Sequence, residues 1–267
     1  MSAIDAGRDI RPAADSPEDR AAPLVMEGHV SVEAALEAGI RDVDRILAVR
    51  PGDRRLGRLR WLARQRGVAI DRVEPQIIDD LARGRTHGGV IALVGPRRER
   101  AIGEILAEVG ERSLLVMLDG VEDPFNFGQA VRALYAAGID AVVARRNWET
   151  ALAIVTRASA GATEMLPTAI ADSPEVAAEA CRAVGMRVGC AVPGDDAANL
   201  FEADLSGGLF LLIGGERRGV TRSFVAQADL RLRVPYGREG APDLGVAAAA
   251  AVIGFEALRQ RGRTRGD

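Results

Sequence analysis

Short, almost continuous apolar segments alternate with helical segments through residues 113–267. The clearest are SLLVMLDG at 113–120 and GLFLLIGG at 208–215. Strands that are apolar along their whole length are buried on both faces, which is typical of a parallel sheet covered by helices on both sides. Parallel strands also need long crossover connections, which the intervening helices supply. This part of the sequence therefore predicts an α/β domain built on a parallel sheet.

A smaller alternating unit precedes it at residues 24–97. Helical spacing in MEGHVSVEAALEAG, LGRLRWLARQRG and PQIIDDLARG alternates with the strand-like segments VDRILAV, VAIDRVE and GGVIALVG, which predicts a small α/β domain. Residues 98–112 predict a linker helix before the larger domain at 113–267. Residues 1–23 lack the apolar core of a signal peptide and predict a disordered tail.

The charge distribution suggests a polyanionic partner. All 35 basic residues are arginines, and residues 24–100 contain 15 arginines against 11 acidic residues, whereas the segments on either side are acidic. The densest run is RPGDRRLGRLRWLARQRG at 50–67. A charge run is usually a solvated helix face, but clustering in one segment favours phosphate binding, which arginine does bidentately. Aromatic residues make up only 4% of the chain, so stacking platforms for bases are scarce.

Several other classes of protein are disfavoured. No stretch is apolar enough for a membrane span, and the two cysteines, Cys181 and Cys190, lack ligand spacing, so we expect plain core residues in a reducing cytosol and a cytoplasmic protein. His29 and His87 stand alone, so no metal site is expected. A dinucleotide fingerprint and a G-x-S-x-G elbow are absent from the sequence, and a P-loop is excluded because the chain has no lysine.

Four expected strand ends in the larger domain carry glycines and polar side chains. They are LDGVEDPFNFGQAVRALYAAGIDAVV (118–143), AVPGDD (191–196), IGGERRGV (213–220) and RVPYGREGAPDLG (233–245). The carboxyl ends of parallel strands meet at one edge of a sheet, where ligands bind in such folds. Glycine lets a backbone approach a ligand closely, although a single strand-end glycine is usually only part of a turn. Together the segments predict a ligand site at this edge.

In this order, the segments resemble the motifs of the TrmH/SpoU RNA 2′-O-ribose methyltransferases. The 118–143 segment resembles the first motif, and ASAGATEMLP (158–167) resembles the segment that follows it. FLLIGGERRGV resembles the second motif, and ADLRLRVPYGREGAPDLGVAAAAAVIGFEALRQR the third. Residues 24–97 are similar to the family's RNA-binding extension. The resemblance therefore covers almost the whole chain except the tail.

The resemblance implies a fold, a cofactor and partners. The larger domain is expected to have the SPOUT fold, a parallel-sheet α/β domain with a deep trefoil knot in which the C-terminal helix passes through a loop, an exception to the rule against knots. The smaller domain is expected to resemble kink-turn-binding ribosomal proteins. The implied cofactor is S-adenosyl-L-methionine. The implied partners are RNA and a second copy of the chain packed through the knotted helices. The basic N-terminal unit favours large-subunit ribosomal RNA.

Motif matching also assigns site residues. The implied cofactor contacts are Ala191, Gly214, Glu216, Gly219, Val234 and Leu244. The implied catalytic residues are Arg132, Asn126 and Glu216. A guanidinium stays protonated under ordinary conditions, so we expect Arg132 to grip an RNA phosphate and fix the ribose for attack rather than to act as a base.

Departures from the family pattern leave the activity open. The third motif usually reads Ser-Leu-Asn-Val-Ser, whereas this chain has Gly245 in place of the asparagine and Ala247 in place of the second serine. Phe125 stands where a histidine is frequent. Backbone contacts to a cofactor survive such changes, but side-chain contributions do not. Three hypotheses follow: an RNA 2′-O-methyltransferase, a family member that binds RNA but no longer transfers methyl groups, or an α/β protein that binds another small ligand.

Overall fold

The computed structural model describes residues 24–145, 151–194 and 196–262. The tail expected at 1–23 lies outside these residues. Within them the chain forms two α/β units, each built on its own sheet.

The N-terminal unit is a four-stranded sheet in the order β1–β4–β2–β3. Its elements are β1 (Leu24–Glu27), α1 (His29–Ala38), β2 (Val43–Ala48), α2 (Gly57–Arg66), β3 (Ile70–Arg72), α3 (Pro75–Leu81) and β4 (Val90–Val94). β1 and β2 are antiparallel to β4, and β3 is parallel to β2. Alternate strand residues point to opposite faces, so α1 and α2 cover one face and α3 covers the other.

The helix that the sequence predicts from Met26 is shorter than expected. Its first residues form β1, which pairs with β4 from Leu24 to Glu27. Gly28 has a φ of 85°, so the chain turns there before α1 begins at His29. The apolar run before Gly28 supplies the sheet, and only the residues after it supply the helix.

The C-terminal unit contains eight strands, all parallel, in the order β10–β12–β9–β11–β6–β7–β8–β5. The strands are β5 (Arg100–Ala101), β6 (Leu114–Asp119), β7 (Ala141–Ala144), β8 (Thr168–Ile170), β9 (Arg187–Ala191), β10 (Ala198–Asn199), β11 (Leu209–Gly214) and β12 (Leu230–Arg233). This confirms the predicted parallel-sheet domain. The predicted linker helix was only partly correct, because part of it forms the edge strand β5, which pairs with β8.

Helices cover both faces of the larger sheet. They are α4 (Ile102–Leu106), α5 (Pro124–Ala136), α6 (Leu152–Ala158), α7 (Ala162–Met165), α8 (Pro174–Ala183), α9 (Arg222–Gln227) and α10 (Val246–Arg261). In β6, Leu114 and Val116 face the core beneath α5 and α10, whereas Leu115 and Met117 face the core beneath α4 and α8. Both sets are buried, which explains the continuous apolar run. None of the helices in the described ranges is both long and apolar enough to span a membrane.

The order of the last strands bears on the predicted knot. β12 lies between β9 and β10, so the chain inserts its last strand into a position flanked by two earlier ones. Beyond it, the Gln260 side chain at the end of α10 accepts a hydrogen bond from the Leu205 amide (2.7 Å) and donates one to the Ala203 carbonyl oxygen (2.9 Å). The end of α10 is therefore tied to the loop that precedes β11. The threading of the chain through a loop stays a prediction.

The two units meet through a packed, partly ionic interface. The Arg41 side chain donates two hydrogen bonds to the Glu164 carboxylate, at 2.8 and 3.1 Å, and neither side chain is exposed. Leu152 on α6 packs in the core of the N-terminal unit. A Cβ at Gly161 would lie only 2.5 Å from the Ala34 Cβ, so α1 approaches the α6–α7 connection as closely as a glycine permits.

We expect Glu164→Gln to destabilise the protein, because the buried Arg41 guanidinium would then face a neutral amide. Removing one partner of a buried pair typically costs about 3–5 kcal/mol, so the free energy of unfolding, measured by urea denaturation, should fall by about that amount. Asp42→Asn is the matched control, because Asp42 pairs with Arg98 on the surface and should change the stability by less than about 1 kcal/mol. Equal, small effects of the two substitutions would contradict a stabilising role for this pair.

Candidate active site

A cleft of about 590 Å³ opens at the carboxyl ends of β9, β11 and β12, beside the start of α10. Its volume lies within the range of about 300–1,000 Å³ that is typical of small-molecule sites. The structure places all six positions predicted to contact the cofactor in the lining of this cleft: Ala191, Gly214, Glu216, Gly219, Val234 and Leu244. Three separate segments of the chain, far apart in sequence, therefore converge on one cavity.

Glycines permit the backbone contacts at the floor of the cleft. A Cβ at Gly215 would lie 1.9 Å from the carbonyl oxygen of Gly120, and a Cβ at Gly214 would lie 2.3 Å from the carbonyl carbon of Gly219. The Gly215 amide donates to the Asp119 carbonyl oxygen (2.8 Å), and the Gly219 amide donates to that of Gly215 (2.9 Å). The turn after β6 and the loop after β11 thus touch through backbone alone, at positions where any side chain would collide.

The third segment forms the opposite wall. The Leu244 amide donates to the Tyr236 hydroxyl (3.0 Å), which closes the loop between β12 and α10. Tyr236 and Asp243 both line the cleft, and the sequence reasoning did not select either of them. Ile253 of α10 also reaches the cleft and was likewise not among the predicted site residues. Tyr236 could have been singled out as one of only two tyrosines in a chain poor in aromatic residues.

Two of the predicted catalytic residues are directly linked. The Asn126 side-chain amide donates a hydrogen bond of 3.0 Å to Oε1 of Glu216. Asn126 lies in the first turn of α5, which begins at Pro124 and is capped by the Asp123 carboxylate accepting from the Phe125 amide (2.9 Å). The hydrogen bond therefore joins the start of the first-motif helix to the second-motif loop and holds Glu216 at the rim of the cleft.

Arg132 occupies a different position. It is exposed on α5 and is not among the described residues that line the cleft. Phe125 lies seven residues earlier, two turns along the same face of the helix. Across the three described ranges, the Arg132 side chain forms no hydrogen bond or ion pair, so its guanidinium is available to a ligand outside this chain. The structure thus brings Asn126 to Glu216 at the rim of the cleft and leaves Arg132 outside the lining. The catalytic roles of these three residues stay predictions.

The surroundings of the cleft are cationic. Arg217, Arg218 and Arg238 are exposed on the loops that border it, and Arg222 is exposed at the start of α9. Arg217 forms an ion pair with Glu122 (3.1 Å). Guanidinium groups at such an edge suit phosphate oxygens, since their fork geometry allows bidentate binding.

Neither cysteine lines the cleft. Cys181 and Cys190 are buried in the core on the other face of the sheet. Burial raises the pKa of the Cys181 thiol to about 12 and that of Cys190 to about 11, so neither is a thiolate near neutral pH. Within the described residues, no group of three or more histidine, cysteine, aspartate and glutamate side chains could hold a metal ion.

Comparison with known proteins agrees with this geometry. The family model described as the SpoU rRNA Methylase family matches residues 113–255. The chain belongs to the SpoU rRNA methylase family. A second model, described as RNA 2′-O ribose methyltransferase substrate binding, matches residues 25–100.

Individual relatives cover most of the chain. It is 33% identical to the 23S rRNA (guanosine-2′-O-)-methyltransferase RlmB of Xylella fastidiosa, over 74% of this chain and 81% of the relative. It is 34% identical to RlmB of Vibrio cholerae, over 81% of this chain and 87% of the relative. Among solved structures, the SpoU methyltransferase AviRb from Streptomyces viridochromogenes shares the fold, with a TM-score of 0.74 and 23% identity over 90% of each chain. An RNA 2′-O ribose methyltransferase matches with a TM-score of 0.72 and 25% identity over 90% of this chain and 89% of that one.

Gly245 and Ala247, which depart from the SpoU pattern, lie at the start of α10. Gly245 is the N-cap residue of α10 and has an ordinary φ of −59°. A Cβ at this position meets nothing within 4 Å, so the backbone there does not require glycine. Ala247 follows in the first turn of the helix and packs partly against the core. Gly245 and Ala247 therefore lie beside the cleft but contribute only backbone and a methyl group.

We expect Gly215→Ala to weaken binding of S-adenosylhomocysteine, because a Cβ at 1.9 Å from the Gly120 carbonyl oxygen must push the two loops apart. Overpacking typically costs about 1–3 kcal/mol, which corresponds to roughly a tenfold loss of affinity or more. Isothermal titration calorimetry measures the affinity. Gly237→Ala is the matched control, since a Cβ there meets nothing within 4 Å. Unchanged affinity in the Gly215 variant would show that the loops need not touch for the cleft to bind.

Proposed function

We propose that this chain transfers a methyl group from S-adenosyl-L-methionine to a ribose 2′-hydroxyl of RNA, and that its substrate is large-subunit ribosomal RNA. The observation that carries the proposal is the convergence of six predicted positions in one cleft, beside the hydrogen-bonded pair Asn126 and Glu216. Membership of the SpoU family supports the reaction, and the printed names of the relatives support ribosomal RNA.

The donor set of the cleft fits this cofactor. The glycines of loops from two strand ends line the cleft without side chains, and Val234, Leu244 and Ile253 provide apolar surface for an adenine ring. The carboxylates of Glu216 and Asp243 also line the cleft, and negative charge favours a bound cation. S-adenosylmethionine, when bound, supplies a methyl group on a positively charged sulfur, which is a good leaving group.

The proposed roles of the side chains follow from their chemistry. A ribose hydroxyl is a weak nucleophile until its proton is drawn away. We assign the Glu216 carboxylate, which accepts a hydrogen bond from Asn126, to accept one from this hydroxyl. The Arg132 side chain is assigned to an RNA phosphate, and this contact would orient the ribose. In the most favourable cases, positioning of this kind lowers the activation barrier by about 7–11 kcal/mol.

A second function has one observation in its favour. Gly245 and Ala247 lack the hydrogen-bonding side chains of the family's third motif, while the cleft itself is intact. Under this alternative, the chain binds RNA and the cofactor but transfers no methyl group.

We expect the purified protein to transfer tritiated methyl groups to unmodified, in vitro transcribed large-subunit ribosomal RNA. Arg132→Ala should reduce the rate by about 100-fold, because loss of one preorganised electrostatic contact costs roughly that much. Arg182→Ala is the matched control, since Arg182 lies on α8, on the other face of the sheet, and pairs with Asp229. Incorporation at the background level would refute the enzymatic proposal, provided that the same protein binds S-adenosylhomocysteine in a separate titration.

The double variant Gly245→Asn, Ala247→Ser separates the two functions in the same assay. If the wild-type chain is active, the double variant should change its rate only modestly. Activity that arises only in the double variant would favour the RNA-binding alternative.

We further propose the domain boundaries 24–97 and 113–267, with residues 98–112 between them supplying β5 and α4. The N-terminal unit is assigned to RNA binding, in keeping with the substrate-binding model that matches 25–100. Because ribosomal RNA is the proposed substrate, we place the protein in the cytoplasm.

A homodimer through the outer faces of α5 and α10 is also proposed. These helices pack against each other on one face of the sheet, and their outer faces carry Phe125 (51% exposed) and Phe255 (49% exposed). Such large exposed apolar side chains on neighbouring helices are typical of a protein interface. A dimer through this face would place Arg132 at the boundary between the subunits.

We expect Phe255→Asp to yield a monomer in sedimentation velocity experiments, since a buried, unpaired carboxylate opposes association. Val176→Asp is the matched control, because Val176 is equally exposed on α8, on the other face of the sheet. A wild-type protein that sediments as a monomer at micromolar concentration would overturn the dimer.

A further inference from the structure

The arginines of the basic segment 50–67 fall into two groups. Four of them are engaged within the protein. Arg55 pairs with Asp53 (2.8 Å), Arg58 pairs with Glu37 (2.6 Å), Arg60 donates to the carbonyl oxygens of Pro51 and Asp53, and Arg66 donates to that of Leu36. In contrast, Arg50, Arg54 and Arg64 are exposed, and their side chains have neither an ion pair nor a hydrogen bond within the residues that the structure describes. Their positive charge is therefore directed to solvent.

Trp61 lies in the same segment and is 60% exposed. On α2, Leu59, Leu62 and Ala63 point into the core of the N-terminal unit, so the indole ring is on the opposite side of the helix. An isolated exposed leucine or valine needs no explanation, whereas a tryptophan presents far more apolar surface to water. The exposed indole ring is therefore the feature of α2 that indicates a binding surface.

Trp61 and Arg64 are neighbours on the surface of α2, and Arg54 lies in the turn just before this helix. Arg64 follows Trp61 by three residues, a spacing that makes two helical residues surface neighbours. Arg54 precedes Trp61 by seven residues, in the 3-10 turn (Arg54–Leu56) that leads into α2. We call Arg54, Trp61 and Arg64 the Trp61 stripe. It combines one aromatic platform with two cations that form no ion pair with any acidic side chain in the described part of the chain.

We propose that the Trp61 stripe binds an unpaired nucleotide of the RNA substrate, with the indole stacked on the base and Arg54 and Arg64 on the neighbouring phosphates. The inference rests on the proposed RNA methyltransferase function and adds a second point of contact, on the N-terminal unit. Stacking suits unpaired nucleotides because their base faces are accessible, whereas in a duplex both faces of each base are covered. The uncompensated positive charge favours RNA over a second copy of the chain, whose stripe would repel it.

Fluorescence tests the stacking directly. The chain has a second tryptophan, Trp148, which lies outside the described residues; Trp148→Phe leaves Trp61 as the only indole emitter. We expect short single-stranded RNA to quench this emission with saturation, and a duplex of the same length to quench it much less. Quenching that is equal for both RNAs, or absent while RNA binds, would overturn the proposal.

Affinity for unmodified large-subunit ribosomal RNA provides the second measurement. Trp61→Ala should weaken binding by about 5- to 100-fold, the range of one base–aromatic stack, whereas Trp61→Phe should retain most of the affinity. Ile77→Ala is the matched apolar control, because Ile77 is exposed on α3, on the other face of the small sheet. Thermal unfolding checks that each variant is folded.

The salt dependence of binding tests the two arginines. The double variant Arg54→Gln, Arg64→Gln should reduce the slope of log affinity against log salt by about 1.4, since each phosphate contact on single-stranded RNA contributes about 0.7. Arg55→Gln removes the same charge from the same segment, but Arg55 is already paired; its hydrogen bond lowers the pKa of Asp53 to about 2. This control should leave the slope nearly unchanged.

Failure of this inference is distinguishable from failure of the proposed function. If the wild-type protein binds and methylates ribosomal RNA, while Trp61→Ala binds it equally tightly, the stripe is not a contact and the methyltransferase proposal stands. If Trp61→Ala weakens RNA binding but the wild-type protein transfers no methyl group, the stripe is supported and the enzymatic proposal falls.

Discussion

The backbone contact between Gly120 and Gly215 is the constraint on which the site depends. β6 and β11 are neighbours in the sheet, paired in parallel up to Asp119 and Gly214. Immediately beyond this point the two chains touch so closely that a Cβ at Gly215 would overlap the Gly120 carbonyl oxygen. Because the loops meet here, Asn126 at the start of α5 reaches Glu216. One steric condition therefore both shapes the cleft and joins its two polar side chains.

The same helix connects the cleft to the N-terminal unit. α5 packs on α6, and a Cβ at Gly128 of α5 would lie 2.7 Å from the Ala158 Cβ. The α6–α7 segment in turn packs on α1 and holds the buried ion pair between Glu164 and Arg41. A continuous series of close contacts therefore runs from the proposed RNA-binding unit to the helix that carries Asn126 and Arg132. RNA held by the N-terminal unit would meet the cleft in an orientation that this packing fixes.

The sequence predicted those parts of the fold that depend on the composition of one segment alone. The apolar runs of β6 and β11 are buried on both faces, so their composition alone indicated a parallel sheet. The pairing of β5 with β8 was not predictable, since Arg100 and Ala101 carry no strand signal and are held by a distant partner. Likewise, the motifs indicated the cleft positions, but Tyr236 and Ile253 reach the cleft only through tertiary packing. The exposed position of Arg132 follows from the orientation of α5, which its sequence does not specify.

Hydrogen–deuterium exchange, measured with and without S-adenosylhomocysteine, tests most directly whether the glycine-lined cleft is the cofactor site. Backbone amides in the loops after β11 and β12 should bind or be covered by the ligand. We therefore predict that peptides spanning 213–220 and 233–246 become protected, while peptides from α8 and the N-terminal unit do not change. Protection confined to other segments, with both of these loops exchanging as in the free protein, would contradict the account.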